Sequence, residues 1–156
     1  MSTVDPIAHS ASIVLAVDAD AAFEFVASGM NQTYWALGSW ARVDEGDGVV
    51  SGTSLWDGST LYIQIEAQPE LRLVDYYTGR ERGRLRHGVS ARVLAGEPLG
   101  HPAGSSVLTL VVWRNPGHTD DSWRRTYHAF QAEVHLIKGR LEHGVDAAVR
   151  AAGVGT

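Results

Sequence analysis

The stretch WRRTYHAFQAEVHLIKGRL, Trp123–Leu141, decides the fold. Within it Trp123, Tyr127, Phe130, Val134, Ile137 and Leu141 follow one another at alternating intervals of four and three. That spacing lays six large side chains along one side of an α-helix. Asp120-Asp121-Ser122 ahead of it offers a cap and puts negative charge at the positive end of the helix dipole. Lys138, Arg140 and His143 place cations at the other end. Gly139 is the weak point, at roughly 1 kcal/mol relative to alanine. A long helix with one apolar stripe needs an apolar surface to lie on.

The chain before the helix supplies that surface. Trp40–Val43, Val49–Trp56, Leu71–Thr78, Leu85–Val93 and Ser106–Trp113 read as strands. Between the second and third of these, Leu61, Ile63 and Ile65 alternate with Tyr62, Gln64 and Glu66, the period of a half-buried strand. Asp44–Gly48, Asp57-Gly58, Pro69 and its neighbours, Gly79–Gly83 and Gly96–Gly104 are the turns between them. Six strands in an antiparallel meander have one face to bury, and the helix can cover it. Further upstream, Ile13–Val17 is a first strand. Asp18 or Asp20 then caps a helix from Ala21 to Ala27 that stops at Gly29. Residues 30–39, with Tyr34, Trp35 and Leu37, read as a second short helix or a turn. The expectation is α+β: strand, one or two short helices, six strands, one long helix.

This order resembles the helix-grip fold of the START-related SRPBCC superfamily. Ile13–Phe23 resembles that group's opening strand and helix. Ile65–Tyr76, with Pro69 followed by Arg72-Leu73-Val74, is similar to its mid-sheet strand pair. Phe130–Glu142 looks like its closing helix. The resemblance implies a curved antiparallel sheet of about seven strands wrapped around a long C-terminal helix, with a cavity between them for an apolar small molecule. The superfamily holds carriers, polyketide cyclases and dehydrases, and activators of a chaperone ATPase, so the fold leaves the function open. Gly38-Ser39-Trp40 also resembles the glycine-x-tryptophan signature of lipocalins. Strand Ile13–Val17 and helix Ala21–Val26 have no place in that barrel.

Composition narrows the classes further. The chain has 156 residues, 44% hydrophobic and 20% charged, an ordinary globular balance. One helix-grip domain is expected over 11–144, with a flexible arm over 1–10 and an Ala/Gly-rich tail over 145–156. There is no cysteine. That removes disulfides, thiolate metal sites and cysteine nucleophiles, and it fits a reducing cytoplasm. No apolar run is long enough to span a membrane, and MSTVDPIAHSAS lacks the basic and apolar regions of a signal peptide. A net charge of −5 argues against general nucleic-acid binding. Residues 1–80 carry 3 basic and 11 acidic side chains, and residues 81–156 carry 10 and 7. Much of the basic excess lies at Arg80, Arg82, Arg84 and Arg86. In a regular strand these would project from one side, as an anion-recognising edge or as a solvated hairpin.

For chemistry, the aromatic residues stand out. Trp35, Trp40, Trp56, Tyr62, Tyr76, Trp113, Tyr127 and Phe130 are the candidate lining of a pocket for a lipid- or polyketide-like ligand. Core packing alone would also account for any one of them. His87 and Arg92 are the candidate polar members, Arg92 needing Glu66 or Asp75 beside it if buried. Glu66, Asp75 and Tyr76 could do acid–base work if buried. His128 and His135 share a solvated helix face. With no HExxH and no third ligand, no metal site is expected. No P-loop, dinucleotide fingerprint or nucleophile elbow is present, so no cofactor is expected. Three readings follow: a carrier or sensor of an apolar or aromatic small molecule, a cyclase- or dehydrase-like enzyme, and a partner-binding domain using Arg80–Arg86. Assembly as a homodimer stays open.

Overall fold

The computed structural model describes residues 4–145. Its elements are β1 (Ala8–Leu15), α1 (Ala19–Ala27), a 3₁₀ turn (Met30–Tyr34), β2 (Ser39–Gly46), β3 (Val49–Ser54), β4 (Thr60–Gln68), β5 (Leu73–Gly79), β6 (Arg86–Ala95), β7 (Ser106–Trp113) and α2 (Asp120–His143). The strands form one antiparallel sheet in the order β1-β7-β6-β5-β4-β3-β2. β2 to β7 run as a meander, each pairing with the next. β1 pairs with β7 along its whole length, from Ala8 opposite Trp113 to Leu15 opposite Ser106. The two edges are therefore β1 and β2, and the sheet does not close into the barrel of the lipocalin alternative.

Period-two alternation sets the faces. In β7, Leu108, Leu110 and Val112 are buried; in β6, Ala91 and Val93; in β5, Val74 and Tyr76. Both helices lie on this concave face. α1 sits over β5, β6 and β7 and buries Ala22, Phe23 and Val26. Asp18 caps it, its Oδ1 accepting from the Ala21 N–H at 2.8 Å. α2 lies along β1 and reaches β7, with Trp123, Val134 and Ile137 buried. This curved sheet gripping a 24-residue helix is the helix-grip architecture.

The α2 N-terminus sits one residue before the expected cap. Thr119 and Ser122 form a reciprocal capping box, and Asp120 and Asp121 fall in the first turn. There they still meet the positive end of the dipole. Gly144, at φ 84°, ends the helix with its N–H on the Arg140 carbonyl at 2.8 Å. The buried His9 ring of β1 stacks on Trp123 at 3.6 Å between centroids, and its Nε2 meets the Trp123 carbonyl at 3.1 Å. These contacts fasten the start of α2 to the edge strand.

Two local expectations meet a different arrangement. β1 already begins at Ala8, inside the segment read as a free arm. From residue 146 on, the tail lies outside the described residues. Arg80, Arg82 and Arg84 sit in the turn between β5 and β6, not in a strand, so they do not share one side. Arg80 pairs with Asp57 at 2.8 Å, Arg82 with Glu45 at 3.9 Å and Arg84 with Glu81 at 3.5 Å.

Two substitutions on α2 test this packing. Ile137, fully buried, is expected to cost about 2–5 kcal/mol as Ile137→Ala in urea denaturation. A Cβ at Gly139 meets nothing within 4 Å, so Gly139→Ala should instead gain about 0.5–1 kcal/mol in the same measurement.

Candidate functional site

A cavity of about 190 Å³ remains between the sheet and its helical cover. Leu61 and Ile63 of β4, Tyr76 and Thr78 of β5 and Val89 of β6 form its floor, with Trp35 and Phe130 also in the apolar wall. Besides the hydroxyls of Ser39, Tyr76 and Thr78, the polar side chains that share the space are Gln32 from the 3₁₀ turn, Arg42 from β2 and Glu133 from α2.

Arg42 reaches the interior because β2 is irregular. Ser39 is buried and Trp40 exposed, so unbroken alternation would send Arg42 outward with Trp40. Instead Ala41 adopts φ 53° and the register with β3 slips between Trp40 and Val43. A bulge of this kind re-aims the following side chain. Gly52 on the neighbouring strand makes the room. A Cβ there would stand 2.7 Å from Arg42 Nη1 and 3.0 Å from both Ser39 Oγ and the Trp40 carbonyl.

Burial governs the electrostatics of the site. Burial pulls the Arg42 guanidinium down to about 10, while the charge of Glu133 acts in the opposite sense. Burial pushes the Glu133 carboxyl up to about 7, against the Leu37 N–H, which donates to Oε1 at 2.9 Å, and against Arg42. Burial, then Glu133, raises the Tyr76 phenol. Its hydroxyl donates to the Val26 carbonyl at 2.5 Å, tying α1 to β5. Among the described residues, Arg42 Nε and Nη1, Trp35 Nε1 and Gln32 Oε1 are buried with no hydrogen-bond partner. Buried polar atoms are rarely left so. Here four of them belong to residues lining one cavity.

Of the aromatic candidates, Trp35, Tyr76 and Phe130 line this cavity. The others lie elsewhere. Trp40 is exposed on the convex side of β2. Tyr62 alternates with Leu61 and Ile63 and so faces away from the cavity. Trp113 follows the inward Val112 and is likewise turned out. His87 sits beside it at 5.4 Å between centroids and bonds to Asp75 and Ser90, each at 3.0 Å. Arg92, between the buried Ala91 and Val93, is exposed on that same convex face, with neither Glu66 nor Asp75 paired to it. Trp56 lies in the β3–β4 loop under the Arg125 guanidinium at 4.1 Å. Tyr127 meets His9 edge-on at 5.2 Å.

Gln32, Arg42 and Glu133 were not among the sequence candidates. Glu133 carried a signal: it follows Phe130 by three and precedes Ile137 by four, on the edge of the apolar stripe. Arg42 carried none, because its direction depends on the bulge. Among the described residues, no group of three or more histidines or carboxylates is placed to hold a metal ion. None of their helices is long and apolar enough to cross a membrane.

Comparison with solved structures gives the architecture a name. The Zhui aromatase/cyclase from Streptomyces sp. R1128 superposes with a TM-score of 0.62 at 19% identity, over 95% of this chain and 98% of that one. A START superfamily protein from Mycobacterium smegmatis gives 0.60 at 12%, over 87% and 97%. The fold is the START-like helix-grip fold. The Aha1 dimer from Colwellia psychrerythraea shares it, at 0.62 and 10% identity over 88% and 98%. No family model and no curated protein sequence matches the chain. At these identities the helix-grip likeness speaks for the fold alone.

The two carriers of the site's polarity can be tested separately. Glu133 titrates higher folded than its ordinary 4.5, so the folded state holds the proton more tightly. This group's contribution to stability is therefore best below about pH 4.5 and declines as pH rises to about 7, by up to about 3 kcal/mol. Glu133→Gln should remove that decline in denaturant titrations from pH 5 to 8; an unchanged slope would place the carboxyl in water. Gly52→Ala should cost about 1–3 kcal/mol from the crowding of Arg42 and the Trp40 backbone.

Proposed function

We propose that the protein binds an apolar or aromatic small molecule in the cavity between the sheet and α2, as a carrier or sensor. One observation carries this reading. An otherwise apolar chamber is bordered by buried donors and an acceptor that the described protein leaves unpaired. Such groups each cost roughly 1–3 kcal/mol unless something satisfies them. A ligand that brings an apolar body and a polar end would do so.

A second reading, acid–base catalysis, is favoured by Glu133. A carboxyl brought to about 7 is poised to give or take a proton near neutrality, and Arg42 and Tyr76 line the same cavity. A partner-binding role for the Arg80–Arg86 turn draws less support. Three of its arginines already meet carboxylates of the chain itself.

Displacement of an environment-sensitive aromatic dye tests the binding reading. The wild-type chain is expected to take up the dye and release it to competing aromatic compounds. Val89→Phe, which adds a ring to the cavity wall, should weaken uptake by about tenfold or more. A folded wild-type protein that takes up nothing would refute it. If the site also performs chemistry, Glu133→Gln should lower turnover by about 10²–10⁴ while ligand still binds.

A further inference from the structure

We propose that the cavity selects a single-ring aromatic acid, the ring held among Trp35, Phe130 and Val89 and the carboxylate received by Arg42 and Trp35. This rests on the binding reading above and names the ligand class it takes.

Size sets the first limit. The chamber is about 190 Å³. A buried apolar cavity of about 150 Å³ admits a benzene ring, whereas pockets for larger ligands run from about 300 to 1,000 Å³. One ring with a carboxylate fills this space. A fused polycyclic body or a long acyl chain would have to leave much of its apolar surface outside, through the cavity's open side.

Charge sets the second. Arg42 presents Nε and Nη1 without partners, and Trp35 adds an unpaired indole N–H. These are donors only. The guanidinium stays protonated at neutral pH even after burial draws it down to about 10. Among the described residues no carboxylate pairs with it; its near charge is Glu133, which acts through space and is pushed up to about 7. A partly buried cation whose Nε and Nη1 find no anion is unfavourable, and an incoming carboxylate supplies the missing charge with the strongest class of hydrogen bond. An amide, ester or hydrocarbon of the same shape cannot.

The third limit is the set of remaining groups. Tyr76 spends its hydroxyl on the Val26 carbonyl, so its ring offers a wall and not a donor. Glu133 has one oxygen committed to Leu37 N–H. When protonated it does not oppose a ligand carboxylate. Gln32, in the lining of the same cavity, keeps Oε1 as an unpaired acceptor.

Isothermal titration of the full chain at pH 6.5 with benzoate, methyl benzoate, anthracene-carboxylate and palmitate tests the proposal. Benzoate should bind at least about tenfold more tightly than its methyl ester, and the two larger acids should bind more weakly than benzoate. Arg42→Gln, with its fold checked by circular dichroism, should bring benzoate down to the level of the ester. Ester binding as tight as benzoate would leave the binding reading standing and overturn acid selection. Tighter binding of palmitate or the tricyclic acid would overturn the size limit. Failure of all four compounds to bind would overturn both.

Discussion

One helix has to cover one face of a seven-stranded sheet. Seven strands at about 4.8 Å spacing span about 29 Å. An α-helix with its side chains is about 10–12 Å across. The coverage cannot be complete, and the rest of the structure follows from how the shortfall is met. α2 settles over β1 and β7, where Val134 and Ile137 of its stripe share one buried core with Leu15, Leu108 and Leu110. α1 covers the middle strands. Over the part of β2, β4, β5 and β6 that α1 leaves open, the roof is the Met30–Tyr34 turn, the residues after it and the flank of α2. The cavity lies there because no element is wide enough to fill it.

What occupies that gap is not what stability alone would select. Well-packed apolar side chains in place of Arg42 and Glu133 would often be neutral or favourable by the general rule for buried charges. Instead the chain holds a partly buried cation and a buried carboxyl that do not pair directly, and keeps three kinds of polar atom unsatisfied. It reaches this state through two further departures from local rules. Ala41, a non-glycine residue, takes a left-handed conformation, and Gly52 leaves bare backbone inside a strand. Departures that cluster at one place mark function more often than error of packing. All of these converge on one side of one cavity.

The fold was legible in the sequence because its signals are periodic. The stripe from Trp123 to Leu141 and the alternation at Leu61, Ile63 and Ile65 each report a repeating geometry that tertiary contacts reinforce. The resemblance to the helix-grip superfamily rests on Ile13–Phe23, Ile65–Tyr76 and Phe130–Glu142, which overlap these segments in part. The site was legible only where it shares that periodicity. Phe130 belongs to the stripe, and Tyr76 alternates in phase with the buried Val74. Trp35 was marked by lying on the irregular segment. The aromatic count misled for the rest. Trp40, Tyr62 and Trp113 fall on the other phase of their strands, and Trp56 and Tyr127 are engaged with Arg125 and His9. Arg92 and Arg42 make the point most sharply. Regular alternation turns Arg92 outward, and a single-residue slip turns Arg42 inward. A slip of that kind is a property of backbone pairing between β2 and β3, and no composition or spacing in either strand announces it.

The most direct test of this account is a crystal structure of the protein grown with benzoate. The account predicts electron density for one aromatic ring between Phe130 and Val89, with a carboxylate oxygen within hydrogen-bond distance of Arg42 and the Ala41 bulge intact. A straightened β2 that turns Arg42 to the convex face, with the cavity filled by the protein's own side chains, would contradict it.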